Sequence, residues 1–226
     1  MGSSDKLRST TFSAGPNAVL PAFEAYQAAR VEFAQEVAKL ALPDDPLAAN
    51  AAAAPGGTYE VDGPEKVLAT LEASYNLLPD MRPLVNDQSA AVRENALLAM
   101  GRLSNLSSKL QEQISEEDTL AATVATIAAG ASPSLLKAAL FMLHSSVKQS
   151  IHVATLAVER NALPALCERL EDSDSTIKAA AVWCLGAIAN HEAGLAAAVV
   201  DSGALQLLMQ SLKVRTRQER TRQGTA

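Results

Sequence analysis

The chain repeats itself, and that restricts its fold more than any other feature. Residues 161–190, NALPALCERLEDSDSTIKAAAVWCLGAIAN, overlie 77–105, LLPDMRPLVNDQSAAVRENALLAMGRLSN, at a constant offset of 85 from residue 162 on. Leu78-Pro79 falls on Leu163-Pro164, Asp87 on Asp172, Met100-Gly101 on Leu185-Gly186 and Asn105 on Asn190. A weaker copy lies between them at 120–158, where Lys137, Phe141 and Leu143 head a similar helix. The junction VERNAL at 158–163 returns as VDSGAL at 200–205, 42 residues later. A unit of that length cannot bury its own apolar face and has to stack on its neighbours.

The units read as helices. The chain has 44 alanines among 226 residues and only 4% aromatics, which favours closely packed helices over an aromatic-rich sandwich. In the best copy the pattern predicts helices over 162–170 and 176–191, followed by a short helix over 194–200. The turns 171–175 (EDSDS) and 86–89 (NDQS) supply side-chain oxygens that can cap the long helices, and Ser132-Pro133 is expected to do the same. Three helices per unit favour armadillo over HEAT stacking. The expected fold is therefore all-α, an armadillo-repeat right-handed superhelical solenoid. The expected divisions are a flexible arm 1–17, an N-terminal helix 18–42, a linker 43–64, about three and a half repeats over 65–213 and a basic tail 214–226. In the N-terminal helix, Phe23, Tyr26, Phe33, Val37 and Leu40 recur at helical spacing and predict one apolar stripe.

Laid out at 100° per residue from Ile177, the long helix of the best copy groups Ile177, Ala181, Cys184, Leu185 and Ile188 on a core arc. Trp183, Ala187 and Asn190 fall on another arc, which in a solenoid lines the concave groove. The equivalent ladder positions are Leu98, Arg102 and Asn105 in the first copy, and Phe141, Ser145 and Lys148 in the second. Together with Trp183 and Asn190 they form the candidate partner-binding groove. The plainer reading is that Trp183 and Phe141 fill gaps between repeats. These positions carry no carboxylate, so a lysine-rich peptide is a poor fit. Leu205, Leu208 and Leu212 form a stripe expected to need cover at the solenoid end.

Catalysis is not expected. GxSxG, P-loop, HExxH and GxGxxG patterns do not occur, and His144, His152 and His191 lie on different repeats. His191 ends a helix, where the dipole favours a partly cationic ring. Two cysteines, Cys167 and Cys184, cannot supply a zinc site or a disulfide framework, so no metal and no cofactor are expected. Net charge −6 and pI near 5.1 disfavour nucleic acid. The sequence has no run of about 18 apolar residues, so no membrane role is expected and the chain should be soluble and cytoplasmic. Lys213, Arg215, Arg217, Arg220 and Arg222 stand against the single Glu219, a local excess of four positive charges on an acidic chain. Such a tail suits an anionic surface or is simply solvated.

The helix AVLPAFEAYQAARVEFAQEVAKLA at 18–41 resembles the N-terminal helix of the sperm-associated antigen six family, armadillo proteins of the axonemal central pair. The segments ALLAMGRLSN at 96–105, IKAAAVWCLGAIANH at 177–191 and AAVVDSGAL at 197–205 are similar too. The array is about half the family's length, which makes the chain resemble a shortened relative. The resemblance implies a non-catalytic scaffold of the motile cilium or flagellum. Its address would be the cytoskeleton of the axoneme, and its partners axonemal proteins, with tubulin and related armadillo chains among the candidates. The alternative is a cytosolic adaptor that holds a peptide or helix in its groove.

Overall fold

In a computed structural model, residues 16–40, 77–106, 111, 113–115 and 117–210 are described, and every regular element among them is helical. Helix α1 spans Pro16–Leu40, α2 Leu77–Met81 with a 3-10 turn at Arg82–Asn86 behind it, and α3 Ala90–Leu106. Next come α4 Glu117–Ala128, α5 Pro133–Val147, α6 Ile151–Glu159, α7 Ala162–Leu170, α8 Ser175–Ala189, α9 Ala193–Asp201 and α10 Ala204–Gln210. The proposed linker 43–64 and the tail 214–226 lie outside the described residues.

The boundaries follow from local chemistry. Asp174 caps α8 by accepting from Thr176 N at 2.8 Å, and Ser150 caps α6 by accepting from Val153 N at 3.4 Å. Asp87 and Asp172, matched by the 85-residue offset, make the same turn, each accepting from the backbone N–H two residues on at 2.7 and 2.8 Å. Ser132 departs from expectation: its side chain caps nothing, and α5 starts on Pro133, whose fixed φ suits a first turn. The 42-residue period also survives in the backbone. Asn161 (φ 62°) and Gly203 (φ 85°) both take the left-handed conformation at the entry to a second helix, and Asn is among the few non-glycine residues that tolerate it.

The long helices α1, α3, α5 and α8 pack side by side in that order as rungs, while α4, α7 and the 3-10 turn back them. One apolar core runs from Ala34 to Ala204, and Leu140, Leu143 and Ile188 within it are fully enclosed. Side chains of one rung also cap the C-terminal carbonyls of the rung before. Arg102 Nη1 donates to Ala38 O (2.9 Å), Gln149 Nε2 to Ser104 O (3.2 Å) and His191 Nε2 to Val147 O (2.6 Å). These bonds answer acceptors that a helix end leaves without an intrahelical partner. His191 therefore serves the end of α5 in addition to lying near that of its own helix.

Two expectations for α1 are corrected. Residues 16 and 17 belong to the helix and not to the arm, while residues 41 and 42 lie outside the described residues. Its supposed inward stripe also does not all face inward: Phe23, Tyr26 and Phe33 are exposed, and the buried residues are Ala34, Val37 and Ala38. Among the described rungs α1 packs against α3, and small side chains let the two approach closely.

Gly101 marks the closest approach between rungs. A Cβ there would lie 2.7 and 2.8 Å from the Phe141 ring and 3.1 Å from Met142 Cα, whereas one at Gly186 would meet nothing within 4 Å beyond its own helix turn. Gly101→Val is expected to cost about 2 kcal/mol through overpacking, while Gly186→Ala should gain up to about 1 kcal/mol from helix propensity. Urea denaturation of the two variants checks the opposite signs.

Candidate groove on the ladder of long helices

Two adjoining depressions flank Phe141 on the ladder. One, of about 250 Å³, lies between α3 and α5 and is lined by Glu94, Leu98, Arg102, Ser134, Lys137 and Phe141. The other, of about 90 Å³, lies between α5 and α8 against Lys137, Phe141, His144, Thr176, Ala180 and Trp183. Both are smaller than the roughly 300 Å³ of an ordinary small-molecule site. They suit single side chains of a longer ligand crossing from rung to rung.

Of the ladder residues read from the sequence, Leu98, Arg102, Phe141 and Trp183 line these depressions. Trp183 is 49% exposed and meets His144 edge-on, with ring centroids 6.4 Å apart. Asn190 and Lys148 are exposed near the C-terminal ends of their helices. Ser145 is different: it is 1% exposed, and its Oγ accepts from Asn105 Nδ2 at 3.1 Å. This pair ties rung to rung beneath the groove floor, so Ser145 offers no surface to a ligand.

The sequence ladder passed over Lys137, His144 and Glu94. Lys137 and His144 stand four before and three after Phe141, so both share its face, and a search at helical spacing finds them. Lys137 Nζ pairs with Asp174 Oδ2 at 2.7 Å, bridging α5 to the start of α8. The Lys137 ammonium and the Thr176 backbone N–H hold the Asp174 carboxyl down to about 2. Glu94 Oε2 accepts from Ser134 Oγ at 2.7 Å. The groove thus does contain a carboxylate, contrary to the sequence reading, but it is already hydrogen-bonded.

Burial first, and the charge of Lys148 second, hold the His144 imidazole below its ordinary 6.5. In the folded chain it therefore takes up a proton less readily than in the unfolded chain. The stability gained from burying it neutral is complete above pH 6.5 and is lost as pH falls through the lowered folded-state value. Wild type should lose stability relative to His144→Gln as pH falls below about 6.5, as measured by urea midpoints on either side of that pH.

Other reactive groups are engaged elsewhere. Cys184 is fully buried, burial pushes its thiol far up, and Sγ donates to Leu140 O at 3.4 Å. Cys167 Sγ lies 3.5 Å from Ser202 Oγ. No group of three or more His, Cys, Asp or Glu among the described residues could hold a metal, and no single described helix is long and apolar enough to cross a membrane. At the far end Leu205 is 47% exposed, whereas Leu208 packs partly against the core. Leu212, Lys213, Arg215, Arg217, Arg220 and Arg222 lie outside the described residues.

Helices stacked in units of about 42 residues, with long helices forming one face, define an armadillo/HEAT-type repeat solenoid. The HEAT repeat family pattern matches residues 162–191, the α7–α8 pair. Among solved structures, the chain is similar to a designed armadillo repeat protein in complex with the peptide (KR)4, with TM-score 0.61, 20% identity and coverage of 79% of this chain and 74% of that one. A second designed armadillo repeat protein gives TM-score 0.60 at 19% identity, covering 78% and 73%. Computationally designed armadillo proteins for modular peptide recognition give 0.58 at 19%, covering 78% and 73%. No curated protein matches the sequence significantly.

Proposed function

We propose that the chain is a non-catalytic scaffold that binds a partner protein along the ladder groove. A half-exposed Trp183, held edge-on to His144 beside a side-chain-sized depression, is the observation that carries this reading. Large aromatics and Arg at the centre of an interface dominate binding energy, and the groove aligns Trp183, Phe141 and Arg102. Rungs pack roughly 8–10 Å apart, close to the span of three extended residues, so a peptide with apolar side chains at that spacing fills both depressions. Selection of peptides from a random display library against the full chain tests this. Enriched peptides should share two apolar positions about three residues apart and should lose binding to Phe141→Ala.

The finer proposal is an axonemal address in the motile cilium or flagellum, supported by the resemblance of 18–41 and of the repeats to central-pair armadillo proteins. The basic residues from Lys213 to Arg222 would add a salt-sensitive contact to an acidic surface such as tubulin's. A tagged chain that remains with salt-washed axonemes supports this address, and one that leaves with the cytosol supports an adaptor.

A further inference from the structure

The charges along the groove differ between its two edges. At the edge formed by the N-terminal halves of α3, α5 and α8 they are already matched. Lys137 Nζ pairs with Asp174 Oδ2 at 2.7 Å, Asp174 also accepts from Thr176 N, and Glu94 Oε2 accepts from Ser134 Oγ at 2.7 Å. A cationic ligand side chain at this edge would have to displace Lys137 or Ser134, so it gains little there.

At the opposite edge, where the long helices end, Asn105, Lys148 and Asn190 share one repeat position on three successive rungs. Asn105 Nδ2 is occupied by Ser145 Oγ and Gly101 O, at 3.1 and 3.3 Å. Lys148 and Asn190 are exposed, and among the described residues their side chains have no hydrogen-bond or ion-pair partner. Lys148 stands one turn past His144 and two past Phe141, on the same face of the helix. Its own helix end does not require it, because the neighbouring Val147 O already accepts from His191 Nε2 at 2.6 Å. Its charge is nevertheless felt on the groove wall: after burial, it is the second cause that holds the His144 imidazole below its ordinary 6.5. Glu192, two residues past Asn190, turns instead to the start of α9, its Oε1 lying 3.5 Å from where a Gly194 Cβ would stand.

Resting on the groove reading above, we infer that the partner segment is acidic: an apolar side chain enters the depression between Phe141 and Trp183, and an Asp or Glu close by in the same segment lays its carboxylate on Lys148, with the Asn190 amide as a second donor. The seven residues from Phe141 to Lys148 cover about 10 Å along α5, a gap that a lysine and a carboxylate side chain close by reaching toward each other. The chain as a whole carries net charge −6, so the preference comes from this local cation and not from a general field. Such a contact selects among apolar segments that the depressions alone would accept equally.

Selection from a random peptide display library, run in parallel on the full wild-type chain and on Lys148→Glu, tests the inference; only peptides that lose binding to Phe141→Ala are counted. Wild type should enrich Asp or Glu at one fixed place relative to the apolar anchor, and Lys148→Glu should enrich Lys or Arg at that place. An enriched wild-type peptide is then synthesised with Glu or with Gln at that place and titrated by calorimetry. The Glu peptide should bind wild type about tenfold more tightly than the Gln peptide, and Lys148→Met should erase the difference. Lys148 is exposed, so both variants should melt as wild type does, which circular dichroism checks. Phe141-dependent peptides without an acidic preference, or a preference that both Lys148 variants leave unchanged, overturn the inference and leave the groove standing. Failure to recover any Phe141-dependent peptide overturns the groove reading together with it.

Discussion

Arg30→Ala is expected to destabilise the chain by about 3 kcal/mol, because it strips a buried carboxylate of its counter-charge. Asp87 is 7% exposed; its Oδ2 pairs with the Arg30 guanidinium, while Oδ1 accepts from Ser89 N to shape the turn before α3. Arg30 also lies over the Tyr26 ring, 5.2 Å from its centroid. The pair therefore joins α1 to the corner from which the first complete rung starts. Arg30→Ala with Asp87→Asn should be less destabilised than Arg30→Ala alone, since the amide keeps an acceptor for Ser89 and carries no charge to strand. A urea double-mutant cycle reads this directly. A loss below about 1 kcal/mol for Arg30→Ala would mean that water reaches Asp87 and that α1 does not depend on the pair.

Trp183→Ala should separate binding from folding. With half its surface in solvent, Trp183 contributes less than about 1 kcal/mol to stability, within the range of surface substitutions. As a groove anchor it should contribute about 2 kcal/mol or more to affinity, which is roughly a 30-fold rise in Kd. Titration of a library-selected peptide against both proteins, alongside their melting curves, gives the two numbers. A variant that melts well below wild type but binds equally per folded molecule would make Trp183 a packing residue.

The repeat makes much of the ladder legible in the sequence. The predicted helix 162–170 matches α7, and the wheel drawn from Ile177 placed Ile177, Ala181, Cys184, Leu185 and Ile188 inside, where all five are at most 2% exposed. Such a wheel assigns directions on one helix, however, and cannot say which neighbour occupies each direction. Ser145 shares a face with Phe141, yet Asn105 of the adjacent rung reaches across and closes it off. Helix α1 failed for a related reason: its aromatics looked like a core stripe, but its contact with α3 uses Ala34, Val37 and Ala38. Lys137 was visible as a helix heading and not as a groove residue, because its bridge to Asp174 joins segments 37 residues apart.

Trp183 is the chain's single tryptophan, so its emission reports on the groove alone. Titrating the full chain with a partner peptide should shift that emission to the blue as the ligand displaces water from the ring, saturating at one ligand per chain. The shift should be lost with Phe141→Ala at the same concentrations. A peptide that binds by mass or anisotropy while leaving the Trp183 spectrum unmoved would contradict the groove as the binding site.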